Sequence, residues 1–284
     1  MNHPAEMKLH RYMTDAANGK STISEEVIQK IGSDIMDALR RQFGGREKKE
    51  FRLSNVGRPT CQLWFEKHKP EAAQPKSNNF VMNMMLGDVV EAIFKGLLDE
   101  AGVEYGDAEN VVLKLEDGTE INGTYDIVMD GAVDDIKSAS DWSYRNKFES
   151  YSTLAAGDGF GYIGQLAGYA KATGKRAGGW WVVNKGNGRF KYVPADGIDT
   201  DKEVDKIQAT VKTVEKDEFV RCFEPEEETF RKVLTGNKVL NKHCTFCDFR
   251  NTCWPNLQEH PQAKSKAKFP KMVQYIEYNA EQTS

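Results

Sequence analysis

One short stretch, Tyr125–Lys137, constrains the fold of this chain more than any other. It reads YDIVMDGAVDDIK, so that β-branched and small apolar residues flank an Asp130-Gly131 pair. An Asp-Gly pair between such segments is the strongest short-range signal for a two-residue β-hairpin turn. The stretch therefore predicts two antiparallel strands whose register is set by the turn.

The predicted register brings charged side chains together. With this turn, Asp126 lies directly opposite Asp135, and Lys137 shares the face of Asp135, whereas Asp134 points to the other face. Like charges opposite each other destabilise a sheet unless a cation compensates them. Two carboxylates and a lysine on one face indicate a site of hard oxygen ligands that suits Mg²⁺ or Mn²⁺. The alternative is that both carboxylates are solvated on an exposed face of the sheet.

Two predicted helices carry further polar residues. A helix over about 80–102 places Glu91 among apolar neighbours, where a carboxylate needs a partner. The alternative is a Glu at the edge of the apolar face that reaches water. A helix over 155–173 places Gln165 and Tyr169 four residues apart, so they share one face. The same spacing also occurs on an ordinary helix surface.

The order of the predicted elements indicates the fold class. Helices come first, followed by antiparallel strands, a helix, further strands and another helix. Two more hairpin turns are predicted at Asp117-Gly118 and Asn187-Gly188. This order predicts a mixed α+β (α/β) fold in which a central mixed β-sheet is flanked by helices.

Composition sets the limits of size and compartment. The chain has 284 residues, 39% of them hydrophobic, and a formal net charge of −4, which neither indicates nor excludes nucleic-acid binding. It contains no run of about 18 apolar residues and no apolar signal-peptide core, so a cytoplasmic location without membrane contact is expected. We expect a flexible N-terminal tail over 1–21, a single domain over 22–256 and a C-terminal tail over 257–284.

Cysteine spacing indicates a metal site. Three of the five cysteines follow the pattern Cys244-x2-Cys247-x5-Cys253, and Cys61 lies far upstream. In a reducing compartment such a cluster indicates metal rather than disulfides. Four thiolates can hold an iron–sulfur cluster or Zn²⁺, and the spacing does not separate the two. The alternative is a set of free buried thiols. Cys222 has no partner in the pattern and is expected to be an ordinary small side chain.

Four short motifs follow one another along the chain: Gly87-x-x-x-Glu91, Gly123-x-x-Asp126, Asp135-x-Lys137 and Gln165-x-x-x-Tyr169. In this order they resemble the motifs of the PD-(D/E)xK nucleases, and most of all those of the RecB-family branch that includes the Cas4-like iron–sulfur exonucleases. The resemblance covers residues 52–256 and includes the layout of one early and three late cysteines. Cas4 proteins usually carry His at the position of Glu91, and other members of the superfamily carry Glu.

The resemblance implies a restriction-endonuclease-like core and a catalytic site. It implies catalytic roles for Glu91, Asp126, Asp135, Lys137, Gln165 and Tyr169. It implies Mg²⁺ or Mn²⁺ ligation by the side chains of Glu91, Asp126 and Asp135 and by the carbonyl of Ile136. It favours a [4Fe–4S] cluster over Zn²⁺ at Cys61, Cys244, Cys247 and Cys253, where the cluster ties the N-terminal region to the C-terminal region.

The same resemblance implies a DNA exonuclease acting on single strands or duplex ends in the 5′→3′ direction. Recombination, DNA degradation and CRISPR-type processing are the implied settings, and a phage, a plasmid or a CRISPR adaptation system is the implied source. A second copy of the chain, or a protein of recombination or CRISPR adaptation, is the further partner expected besides DNA. Stacking and phosphate contacts are expected from Trp142, Tyr144, Arg145 and Lys147, unless that loop packs its own aromatics. The competing hypotheses are a non-catalytic DNA-binding or assembly protein with the same fold, and a zinc-stabilised binding module.

Overall fold

The computed structural model describes residues 3–44 and 51–279. Within these residues the α-helices are α1 (Pro4–Ala17), α2 (Glu25–Phe43), α3 (Thr60–His68), α4 (Asn78–Glu100), α5 (Tyr151–Ala155), α6 (Tyr162–Thr173), α7 (Thr200–Val214) and α8 (Arg250–Cys253). The strands are β1 (Asn110–Lys114), β2 (Glu120–Thr124), β3 (Ile127–Met129), β4 (Ala132–Ala139), β5 (Arg176–Asn184), β6 (Phe190–Pro194), β7 (Glu226–Phe230), β8 (Val233–Val239), β9 (Gln258–Pro261) and β10 (Met272–Glu277).

The chain forms two compact units rather than the single domain predicted over 22–256. Unit 1 contains Met1–Gly57 and Ser77–Val211, and unit 2 contains Arg58–Lys76 and Lys212–Ser284. Sequence periodicity cannot reveal this division, because unit 2 is assembled from two segments that are far apart in the chain.

A mixed sheet forms the centre of unit 1. Its strand order is β3-β4-β5-β6, with β4 and β5 parallel and the two outer pairs antiparallel. Parallel neighbours need a crossover connection, and the segment that contains α5 and α6 provides it. Helices α4 and α6 both pack against β4, and a separate two-stranded sheet pairs β1 with β2. The predicted mixed α+β fold with a mixed sheet and flanking helices is thus confirmed.

The two-residue turn predicted at Asp130-Gly131 is confirmed. Met129 pairs with Ala132, and the turn residues Asp130 and Gly131 have φ angles of 47° and 72°. Positive φ at both central residues is the type I′ geometry whose twist matches that of the flanking strands. The other two hairpins also form, but with longer connections. Asp117-Gly118 lies in a three-residue loop between β1 and β2, which the Leu115 amide closes by donating to the Thr119 carbonyl, and Asn187-Gly188 lies in a four-residue loop between β5 and β6.

The helices that carry candidate residues differ in how well they were predicted. Helix α4 begins after Ser77, whose side chain accepts a hydrogen bond from the amide of Phe80, and ends two residues before Gly102 (φ 63°). The predicted helix over 80–102 is therefore confirmed within two residues at each end. The helix predicted over 155–173 is instead two helices, because a glycine-rich segment separates α5 from α6 and Gly161 adopts a left-handed φ of 76°.

Both predicted tails contain regular structure. In the predicted tail over 1–21, α1 packs Ala5 and Leu9 into a core cluster that includes Phe94 and Trp181. In the predicted tail over 257–284, β9 and β10 complete an antiparallel sheet of order β7-β8-β10-β9. Each segment buries a few apolar side chains, Ala5 and Leu9 in the first and Ala263 and Tyr275 in the second, which favours ordered structure there.

An aromatic cluster forms part of the core of unit 2. Trp64 and Phe65 from α3 pack with Phe249, and Cys247 and Cys253 lie against this cluster. The two sequence segments that make up unit 2 are therefore joined by apolar contacts around these cysteines.

Candidate active site

Strand β4 presents different chemistry on its two faces. Asp135 and Lys137 lie on one face, and Asp134 and Ile136 lie on the other, as the two-residue period of a strand requires. Asp135 is 1% exposed, and Lys137 Nζ lies 2.8 Å and 2.6 Å from its two carboxylate oxygens. The buried carboxylate is thus held in a bidentate ion pair by a lysine of its own strand.

Asp126 joins this pair from the segment just before β3. Its Oδ2 accepts a hydrogen bond of 2.7 Å from the backbone amide of Ile136, which holds it beside Asp135. Burial raises the pKa of Asp126, and the neighbouring Asp135 charge raises it further. Burial also raises the pKa of Asp135, against the opposing effect of Lys137. The predicted meeting of the two carboxylates is confirmed.

Lys137 is the counter-ion of this carboxylate pair. Burial alone would lower the pKa of its amino group, but Asp135 and Asp126 raise it by more. Lys137 is therefore protonated at neutral pH in this arrangement.

A second lysine, which is buried and was not predicted as a site residue, lies beside Glu91. Lys95 Nζ is 2.9 Å from Glu91 Oε1 and 3.4 Å from Asp107 Oδ1, and Lys95 is only 6% exposed. Burial and the Asp126 charge raise the pKa of Glu91, against the effect of Lys95. The i, i+4 spacing of Glu91 and Lys95 on one helix is a signal that could have revealed the pair.

Gln165 and Tyr169 share one face of α6, as predicted. Gln165 Nε2 donates a 3.0 Å hydrogen bond to Tyr169 Oη, and Tyr169 is 2% exposed. The Tyr169 ring lies over Gly123, where an added Cβ would come within 2.7 Å of the ring. The glycine of the Gly123-Thr124-Tyr125-Asp126 motif is therefore needed for close approach.

A cleft of about 1070 Å³ opens next to these residues in unit 1. Its lining includes Glu91, Lys95, Asp126 and Tyr169, together with Arg52. Its volume is slightly above the usual range of small-molecule sites, and its walls contain both carboxylates and cations. The described residues that line it do not include Asp135, which is buried, or Lys137, which is half-buried.

The aromatic loop after β4 divides into exposed and covered residues. Trp142 is 68% exposed, and Arg145 pairs with Asp141 at 3.0 Å. Lys147 is covered, since its Nζ lies 4.5 Å from the ring centre of Phe160 and 4.4 Å from that of Tyr162. The expected phosphate contact from Lys147 does not fit this position. Tyr144 lies under Lys191, whose Nζ is 4.5 Å from the ring centre of the tyrosine.

The cysteines gather in unit 2. Cys61 lies in the first turn of α3, Cys253 is the last residue of α8, and the amide of Cys247 donates to the carbonyl of Cys244. The expectation that Cys222 has no partner is wrong, because the amide of Cys61 donates a hydrogen bond of 3.0 Å to its sulfur. Only a contact between distant segments could reveal this pairing.

The donor sets fit the cofactors that the resemblance implies. Two adjacent carboxylates, the carboxylate of Glu91 and a backbone carbonyl are oxygen ligands of the kind that Mg²⁺ and Mn²⁺ prefer, and the all-thiol set in unit 2 suits iron–sulfur or Zn²⁺. In residues 3–44 and 51–279, no three His, Cys, Asp or Glu side chains are arranged to hold a metal ion as they stand. In unit 1, Asp135 and Glu91 are instead engaged by Lys137 and Lys95. A bound cation would compete with these two lysines.

Comparisons with known proteins give likenesses to solved structures alone. No protein-family model matches the sequence, and no curated protein matches it. The chain is similar to a solved structure described as the crystal structure of SSO0001, with a TM-score of 0.44 and 11% sequence identity over 81% of this chain and 95% of that chain. None of the helices in the described part of the chain is long and apolar enough to cross a membrane.

Proposed function

We propose that the chain is a metal-dependent deoxyribonuclease with a PD-(D/E)xK, restriction-endonuclease-like core. The observation that carries the proposal is the cluster of Asp126, Asp135 and Lys137 on the β3–β4 hairpin. A pair of adjacent carboxylates, one buried (Asp135) and one half-buried (Asp126), is costly, and chains retain such pairs mostly where the charges serve a function. The mixed sheet with its α6 crossover and the adjacent open cleft support the same proposal.

Each residue of the cluster has a chemical role in this proposal. Glu91, Asp126, Asp135 and the carbonyl of Ile136 would hold Mg²⁺ or Mn²⁺. The bound metal supplies an activated water and neutralises charge on the phosphate. Protonated Lys137 offsets negative charge that develops on the phosphate, since its raised pKa suits a cation rather than a base.

Tyr169 and Gln165 act as positioning residues. Their hydrogen bond fixes the phenol against Gly123, at the wall of the cleft that also contains Asp126. A rigid aromatic at this wall orients a nucleotide or the carboxylate beside it. Exposed Trp142 and Arg145 offer a stacking face and a phosphate contact.

The cysteine site would hold a [4Fe–4S] cluster through Cys61, Cys244, Cys247 and Cys253, with Zn²⁺ as the alternative. Its role is structural, because the aromatic core of unit 2 already packs around two of these residues. Iron–sulfur protein is brown and zinc protein is colourless, so visible absorption distinguishes the two.

The resemblance supports a substrate of single-stranded DNA or duplex ends. We extend the proposal to an exonuclease of 5′→3′ direction that acts in the cytoplasm, in recombination, DNA degradation or CRISPR-type processing.

The experiment is degradation of end-labelled single- and double-stranded DNA with Mg²⁺, Mn²⁺ or EDTA. Asp135→Asn is compared with Asp134→Asn, a matched variant of the adjacent residue on the opposite face of β4. We expect metal-dependent cleavage that falls by about 100-fold or more in Asp135→Asn and persists in Asp134→Asn. The position of the label reports the direction of cleavage.

A non-catalytic DNA-binding role is the second candidate. The closed ion pair of Asp135 and Lys137, which does not line the cleft, favours it within the residues that the structure describes. DNA binding without any cleavage by folded wild-type protein supplied with metal would establish this role and overturn the nuclease.

A further inference from the structure

The cysteine site has one more thiol than a four-ligand site needs. The chain contains five cysteines, and all five lie in unit 2. The geometry points to a shared ligand position in which Cys222 belongs to the thiolate site and can replace Cys61 as the fourth ligand of an iron–sulfur cluster or Zn²⁺. This inference rests on the metal occupancy of the cysteine site in the proposed function, but not on nuclease activity.

A direct contact joins the two thiol residues. The backbone amide of Cys61 donates a hydrogen bond of 3.0 Å to the sulfur of Cys222, although the two residues are 161 positions apart. Cys61 is half-buried, and Cys222 is exposed. A ligand position that one sulfur can reach is therefore within a short side-chain movement of the other.

The residue next to Cys222 fixes it to the other cysteines. The guanidinium of Arg221 donates two hydrogen bonds, of 3.2 Å and 2.8 Å, to the carbonyl of Cys253. The same guanidinium lies 4.5 Å from the ring centre of Trp254. Cys222 is thus held between the helix that carries Cys61 and the segment that carries Cys253.

The three late cysteines form the constant part of the site. The amide of Cys247 donates to the carbonyl of Cys244, and the amide of Cys253 donates to the carbonyl of Phe249. Cys247 and Cys253 also pack on the aromatic cluster of unit 2. The hydrogen bonds from Arg221 to the carbonyl of Cys253 tie the segment that carries Cys222 to this constant part.

The exchange is a ligand substitution without redox change. The Cys222 thiol loses its proton to solvent and its thiolate bonds to the metal. The bond from the metal to Cys61 breaks, and the released Cys61 thiolate takes up a proton from solvent. No oxidant or reductant is consumed, and the charge of the metal site is unchanged.

The first experiment uses wild-type protein loaded anaerobically with iron and sulfide, or with Zn²⁺. N-ethylmaleimide is added to the native loaded protein, and labelled peptides are quantified by mass spectrometry. We expect the label to be divided between the Cys61 and Cys222 peptides, while Cys244, Cys247 and Cys253 are protected. Label on Cys222 alone, with Cys61 fully protected, would overturn the inference.

The second experiment compares metal content in Cys61→Ala, Cys222→Ala, the double variant and Cys247→Ala, with circular dichroism as the test of folding. We expect each of the first two single variants to keep at least half of the wild-type iron or zinc. The double variant and Cys247→Ala should lose most of it. Equal loss in Cys61→Ala and Cys247→Ala, both folded, contradicts the exchange.

The two experiments separate this inference from the nuclease proposal. Wild-type protein that takes up neither iron nor zinc would overturn the inference together with the cysteine site. Absence of DNA cleavage by protein that loads metal and shows the divided label would overturn only the nuclease.

Discussion

Asp134 and Asp135 are neighbours in the chain but have different partners. Asp135 is paired with Lys137, whereas Asp134 has a neutral partner, Tyr192, whose hydroxyl donates a 2.8 Å hydrogen bond to its Oδ1. Asp134 is 1% exposed, and burial raises its pKa to about 7. The carboxylate that contributes nothing to the proposed site is therefore a source of pH-dependent stability.

Replacement of Asp134 by Asn should change how stability depends on pH. Between about pH 4, the ordinary value for Asp, and the folded pKa near 7, folded protein holds a proton that unfolded chains have released. The Asp134 contribution to the free energy of unfolding is thus fully present below pH 4 and is lost as pH rises through 7. We therefore expect the effect of Asp134→Asn on the free energy of unfolding to be more favourable at pH 8 than at pH 5, by about 1–4 kcal/mol. Urea unfolding of both proteins at the two pH values measures this, and an equal difference at both would contradict it.

Replacement of Lys95 by Met should destabilise the protein, because Glu91 loses the cation that balances its charge. The change leaves a partly buried carboxylate without its lysine, so we expect a loss of about 1–3 kcal/mol in metal-free protein. Mn²⁺ should restore much of this loss, because a cation bound at Glu91 and Asp126 stabilises the folded state. Thermal unfolding with and without Mn²⁺ measures both effects.

Lys30→Met is the control for Lys95→Met. The main partner of Lys30 is Asp99 at 2.9 Å, outside the lining of the cleft, and its contact with the cleft residue Asp107 is long, at 4.0 Å. Its loss of stability should be insensitive to Mn²⁺. Equal recovery in both variants would show that Mn²⁺ acts elsewhere.

At the scale of elements, the β3–β4 turn sets the register that the candidate site needs. Gly131 has φ 72° and Gly32 lies inside α2, and an added Cβ would meet no atom within 4 Å at either position. Replacing glycine by alanine should therefore change stability in opposite directions at the two positions, and both changes come from the backbone alone. We expect Gly131→Ala to destabilise the protein by about 1–2 kcal/mol and Gly32→Ala to stabilise it by about 0.5–1 kcal/mol. Urea unfolding of both variants at one pH measures these changes. A change of the same sign in both free energies of unfolding would contradict the turn geometry.

Elements whose signals are local could be predicted from the sequence. The Asp130-Gly131 turn and the cap at Ser77 are decided by a few adjacent residues. Helix α1 was missed because only Ala5, Glu6 and Leu9 are buried, which leaves little apolar periodicity to detect. Strands β9 and β10 were missed because short strands depend on partners from other segments.

The candidate site follows the same division. Asp126, Asp135 and Lys137 could be placed together because strand periodicity and one turn determine their register. The roles of Lys95 and Cys222 could not, because the first depends on how α4 packs and the second on a contact across 161 positions.

At the scale of the whole molecule, the two candidate sites belong to different units. The carboxylates lie in unit 1, and the cysteines lie in unit 2. Metal binding to thiolates contributes directly to folding free energy, so loading of the cysteine site should stabilise unit 2. We expect amides around Trp64 and Phe249 to exchange more slowly in cluster- or zinc-loaded protein than in metal-free protein.

Hydrogen exchange measured by mass spectrometry tests this expectation. The amides of β4 and β5 in unit 1 are the internal reference, and their exchange should change little. A uniform change in both units, or no change in unit 2, would contradict a stabilising role for the cysteine site.

The two ion-paired lysines of the candidate site also bear on whether unit 1 needs a metal in order to fold. Lys137 and Lys95 already balance the charges of Asp135 and Glu91. Zinc fingers, in contrast, stay unfolded until their metal arrives. A newly synthesised chain can therefore complete this part of its structure where free divalent ions are scarce, so a metal would be required for the proposed reaction but not for biosynthesis.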